Sequence, residues 1–114
     1  MINFEIEREL YDLRAAIAVR AALDTSNDRL DERQKTEAEE LVSIRSRALF
    51  SRFVDAALWG GVSPHSVKAV RKALYEALKC LSTEKKCIDA LKIKIDDFNR
   101  FADLLTEKRR DALF

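Results

Sequence analysis

The chain has 114 residues, a length that suits one domain with a real core and leaves little for a second. Apolar residues make up 47% of it and charged residues 36%, with a net charge of +1, and that balance excludes an intrinsically disordered chain. Two Gly and one Pro are too few for a turn-rich β fold. Ala, Leu, Glu, Lys and Arg dominate instead, all strong helix formers. The expected fold is therefore all-α: one compact domain over residues 1–114, with about four largely antiparallel helices.

Asn3 is placed to cap a first helix. Its apolar stripe reads Ile6, Leu10, Leu13, Ile17 and Ala21, a single helical face. The polar cluster Asp24-Thr25-Ser26-Asn27-Asp28 ends it. A second helix starts near Asp28 or Asp31, with acidic residues suited to the positive end of its dipole. Ala38, Leu41, Val42 and Ile44 are expected to face inward. Beyond them, Ala48-Leu49-Phe50, Phe53-Val54 and Ala56 to Trp59 leave little polar surface, which predicts the centre of the core or an interface.

Gly60-Gly61 stops the second helix and Ser63-Pro64 starts a third, with Ser as N-cap and Pro in the first turn. Val67, Val70, Leu74, Leu78 and Leu81 form its inward stripe. Ser82 or Thr83 is expected to cap a fourth helix. Its seam of Ile88, Leu91, Ile95, Phe98, Ala102 and Leu105 is the most regular in the chain. Arg109 and Arg110 suit its C-terminal end.

The small net charge hides an asymmetry. Residues 1–42 hold 6 basic and 11 acidic groups, residues 43–87 hold 9 and 3, and residues 88–114 hold 6 of each. The basic middle is either an anion-binding surface or a counterweight to the acidic first third.

Catalytic and metal-binding patterns are sparse, and no enzyme, metal or cofactor is expected. His65 is the only histidine, too few for a zinc site. Cys80 and Cys87 flank a turn and read as free thiols without a nearby histidine to activate them. The carboxylate pairs Glu39-Glu40 and Asp96-Asp97 point about 100° apart on a helix and read as solvated faces. The first ten residues carry Glu5, Glu7 and Glu9 where a secretion signal would be basic and then apolar. No apolar run reaches the roughly 18 residues of a membrane span. A cytoplasmic protein without membrane contact, and without an evident small-molecule substrate, is expected.

One stretch is sharper than this background. Residues 53–72 read FVDAALWGGVSPHSVKAVRK. Ala57, Gly61-Val62-Ser63, Ser66-Val67 and Val70 carry the residue types of a small helix-contact position, a turn glycine with its apolar plug, and two pinning positions. The stretch resembles a helix-turn-helix DNA-binding motif. That resemblance implies that the third helix enters the major groove. His65, Ser66, Lys68 and Lys72 would then face DNA, with Arg71 near phosphate and Arg45, Arg47 and Arg52 adding backbone contacts.

Two functions follow as expectations. The first is a nucleic-acid-binding protein, a small regulator or a subunit of a nucleoprotein complex, using the basic middle segment. Its aromatics lie mostly on core stripes, which argues against a base-stacking platform. The alternative is a protein-interaction bundle: an adaptor, an inhibitor such as phages encode, or a homodimer. Its interface would use Phe50, Trp59, Phe98 and Phe101.

Overall fold

The computed structural model describes residues 4–25, 32–59 and 61–113, with side chains described over 5–23, 33–59 and 61–105. These residues form four helices: α1 (Phe4–Thr25), α2 (Glu32–Trp59), α3 (Pro64–Cys80) and α4 (Lys85–Leu113). The chain is an all-α bundle, as its composition requires. Asn3, Ser26 to Asp31 and Gly60, and the side chains of Arg109 and Arg110, lie outside the described residues.

Helix directions follow from the pairs that bridge them. Arg52 meets Glu5, Arg45 meets Asp12 and Arg20 meets Glu39. Numbers that rise on α1 fall on α2, so the two run antiparallel. Arg71 and Tyr75 both meet Asn99, which joins α3 to α4. On the other diagonal, Phe53 stacks against Phe98 while Glu39 reaches Ser82 and Thr83, so α2 and α4 run parallel. Among the described residues every helix pair is in contact except α1 with α4. The bundle is thus two triangles, α1–α2–α3 and α2–α3–α4, sharing the α2–α3 edge. The molecule is elongated, 59 × 25 × 18 Å.

The core runs along the shared edge. Phe53, Leu49 and Val42 of α2 are fully buried with Val70, Leu74 and Ala77 of α3, Leu13 of α1 and Phe98 of α4. The rings of Phe53 and Phe98 lie 4.8 Å apart and tilted, and Phe101 meets Phe53 edge-on at 6.0 Å. These are favourable aromatic geometries. The seam of α4 packs as its spacing predicts: Leu91, Ile95, Phe98 and Ala102 are buried, with Ile88 and Leu105 at its ends partly so.

Three expectations about the core are corrected. On α1, Ala21 is exposed and Arg20 is buried in the next position round the helix. On α2, Leu41 and Ile44 face solvent, while Glu39, Ser43 and Ser46 are buried. The Ser46 hydroxyl is satisfied within its own helix, donating to the Val42 carbonyl at 2.7 Å. The end of α2 also escapes burial, with Leu58 at 69% and Trp59 at 90% exposure. All three have one cause. Each stripe must face its neighbours in the bundle, and Glu39 is held on the inner side by partners that no single-helix pattern reveals.

Glu39 is the joint of the fold. One carboxylate oxygen accepts the backbone N–H groups of Ser82 and Thr83. The other accepts from Arg20 Nε at 3.2 Å, and both side chains are almost fully buried. Arg20 also donates to the Ser82 hydroxyl at 3.3 Å. One carboxylate therefore ties α1, α2 and the α3–α4 turn together. This corrects the reading of Glu39 as a solvated face; Glu40, Asp96 and Asp97 are exposed. It also moves the start of α4. The Ser82 and Thr83 amides turn to Glu39, and the first helical bond runs from the Ile88 amide to the Glu84 carbonyl.

Candidate nucleic-acid interface

Helix α3 is positioned by its ends. Gly61 adopts φ +80, a left-handed conformation that Gly reaches without the Cβ penalty. Ser63 then caps the helix, its hydroxyl accepting the Ser66 amide at 3.2 Å, with Pro64 in the first turn. Val62 and Val70 are buried beneath. Inward positions fixed in this way leave His65, Lys68, Lys72, Tyr75 and Lys79 on the solvent face. Their steps of three, four, three and four form a single row.

The residues expected to bind nucleic acid divide into two groups. Lys68 and Lys72 stand on the row with His65, and among the described residues neither lysine has a carboxylate within ion-pair distance. Ser66 is half-buried and engaged in the cap, its hydroxyl 3.0 Å from that of Ser63. Arg71 lies at the edge of the row, tethered to α4. Its Nε donates to Asn99 Oδ1 at 3.1 Å, and its guanidinium stands 5.8 Å from the Phe98 ring centroid.

The second group sits on α2, away from this row. Arg45 pairs with Asp12 at 3.7 Å, and Arg52 reaches Glu5 at 3.4 Å and Glu9 at 4.0 Å. These two arginines hold α1 against α2. Arg47 is exposed on α2. Part of the basic middle thus neutralises the acidic first third, and the α3 lysines are among the cations that stand outside those pairs.

The four aromatic residues expected at an interface also separate. Phe98 is fully buried and belongs to the core, which corrects its assignment to a partner surface. Phe101 packs on Phe53. Phe50 is half-buried beneath the Lys94 ammonium, 5.0 Å from its ring centroid. Only Trp59 is open to solvent.

The α2–α3 pair differs from the geometry that the helix-turn-helix resemblance implies. Residues 61–63 join the two helices at one end, and Glu39 ties α2 to Ser82 and Thr83 at the other. The two paths match in length, about 30 Å from Glu39 to Trp59 and about 25 Å from Pro64 to Cys80. Helices held together at both ends are antiparallel, whereas those of the motif cross at roughly 90–120°. The small, turn and plug residues are all in use here, but they close a hairpin.

Elsewhere, Cys80 and Cys87 are half-buried thiols that are not joined in a disulfide. Burial pushes the Cys87 thiol pKa up, and Glu84, which accepts its hydrogen bond at 3.4 Å, pushes it the same way. That is the reverse of nucleophile activation. Among the described residues no cluster of three His, Cys, Asp or Glu could hold a metal, and no helix is long and apolar enough to cross a membrane.

Sequence reasoning missed Lys79 and Tyr75, which complete the α3 row. Their signal was present: subtracting the inward stripe of α3 leaves these positions on one face. The chain matches no known protein family, no curated protein and no solved structure. Its function must be read from its own side chains.

Proposed function

We propose that this protein binds nucleic acid through the outer face of α3. The supporting observation is the row of Lys68, Lys72 and Lys79, solvent-exposed and outside the ion pairs that occupy Arg45 and Arg52. From Lys68 to Lys79 the row spans about 16 Å of helix, and Arg71 adds a positive charge along the same shallow groove. Among the described residues Glu76 is the one carboxylate lining it. Such a row reads phosphate by charge and leaves sequence choice to other contacts. The antiparallel α2–α3 hairpin favours this mode over insertion of α3 as a recognition helix.

Fluorescence anisotropy of labelled DNA and RNA at about 50 and about 200 mM salt tests the reading. Binding should weaken by orders of magnitude between the two conditions. Lys68→Glu with Lys72→Glu should abolish it. Absence of binding at the lower salt would sink the proposal.

A second reading rests on a different observation. Trp59 is 90% exposed and Leu58 69%, side by side at the end of α2. Exposed aromatic and aliphatic anchors of this kind suit a protein partner or a homodimer. If that reading holds, Trp59→Ala lowers the mass measured by sedimentation or removes partner binding, while the lysine variants do neither.

A further inference from the structure

We infer that the nucleic acid is single-stranded and that its contact surface crosses from α3 onto α1. The inference rests on the nucleic-acid reading above and names its ligand. It begins with how α1 distributes its charge. The first third of the chain is acidic overall, yet Glu5, Glu9 and Asp12 turn toward α2 and meet Arg52 and Arg45. Arg8 and Arg14 are left on another side, exposed and outside every ion pair among the described residues.

That side borders α3. Arg8, Tyr11 and Arg14 line an open groove of about 520 Å³ between the two helices, facing His65, Ser66 and Ala69 at the start of the lysine row. Among the described residues Glu7 is the single carboxylate on its wall. His65 lines the groove and also begins the exposed row, so the inferred track takes five cations from two helices: Arg8, Arg14, Lys68, Lys72 and Lys79. A linear sequence count misses it, because Arg8 and Arg14 lie in the most acidic segment.

Aromatic rings stand on both flanks of this track. Tyr11 is 74% exposed in the groove on the α1 side, and Tyr75 is 42% exposed on the α4 side of the row. The Tyr75 hydroxyl accepts from Asn99 Nδ2 at 3.3 Å, which holds the ring in place. Tyr11 and Tyr75 are thus among the aromatics that lie off the core stripes. Cations that follow a backbone, beside rings that take base faces, are the physical requirements of single-strand binding.

Duplex fits this surface poorly. Bases in a duplex are already stacked and offer no faces to a tyrosine. Reading the major groove needs an element that enters a trough about 12 Å wide, and α3 is packed by α1 on one side and α4 on the other.

The full-length chain should be titrated with labelled oligo(dT), oligo(rU) and a duplex of equal length. Single strands should bind more tightly than duplex. Arg8→Glu with Arg14→Glu should lower single-strand affinity at least tenfold and reduce the salt slope by about 1.4, the loss of two phosphate contacts. Tyr11→Ala should weaken single-strand binding about tenfold, and Tyr11→Phe should restore it, because the ring and not the hydroxyl makes the stack. All three positions are exposed, and circular dichroism should show an unchanged helical spectrum. If duplex binds as tightly, or the Arg8, Arg14 and Tyr11 variants keep wild-type affinity while Lys68→Glu/Lys72→Glu loses it, this inference is overturned and the α3 reading stands. Absence of binding to every probe at about 50 mM salt overturns both.

Discussion

Glu39 sits where three segments of chain meet, and its environment sets its chemistry. Burial alone would raise the pKa of its carboxyl. The Ser82 and Thr83 amides, the Thr83 hydroxyl and the Arg20 guanidinium outweigh that and hold it below the ordinary 4.5. Removing the charge breaks the buried pair between Glu39 and Arg20, which typically costs about 3–5 kcal/mol. We expect Glu39→Gln to lose about 3 kcal/mol in urea denaturation at neutral pH; a loss under about 1 kcal/mol would mean that the joint is dispensable. The pH dependence follows from the direction of the shift. A carboxylate whose pKa is depressed on folding contributes stability that is complete above its unfolded pKa and is lost as pH falls through its folded value. The gap between wild type and Glu39→Gln should therefore shrink below about pH 4.5 and stay constant above it.

The elements are delimited by a few short-range devices, and the α2–α3 turn holds two of them. Gly61 is in the left-handed region, and a Cβ built there would meet nothing within 4 Å. The cost of Gly61→Ala is therefore backbone strain alone, about 1 kcal/mol. Ser63→Ala removes the cap of α3 and should cost about 1 kcal/mol as well. Chemical denaturation of each variant checks this, and a cost near 3 kcal/mol at Gly61 would mean that the turn has a neighbour. At the other end of α3 the device is long-range: the residues before α4 are held by Glu39, 43 and 44 positions earlier in the chain.

The whole molecule is held by the edge that its two triangles share. Phe53 is fully buried on that edge and touches both Phe98 and Phe101. Phe53→Ala should destabilise the bundle by about 3–5 kcal/mol. Trp59→Ala, at 90% exposure, should change stability by less than about 0.5 kcal/mol. Thermal denaturation separates the two. A large effect at Trp59 would show that this end of α2 is covered in solution, as a homodimer would cover it. The molecule as a whole also sorts its charge. Acids of α1 face arginines of α2, which leaves cations on the surface that α1 shares with α3.

The sequence by itself determined the elements. Four helices, the α2–α3 turn with its Gly and Ser-Pro signals, and the seam of α4 were legible because propensity, capping and periodicity act over a few residues. The inner face of α4 was right at every position from Leu91 to Ala102, since a strictly repeating stripe has one way to turn. The α2 face was wrong at Leu41 and Ile44, because both sides of that helix offer apolar residues and only its neighbours choose between them. Tertiary structure alone decided that Glu39 is buried and that Arg45 and Arg52 are bound to α1. It alone brought Arg8, Tyr11 and Arg14 beside His65 and the α3 lysines. Those are pairings across helices, and the spacing of residues within one helix carries no record of what stands opposite.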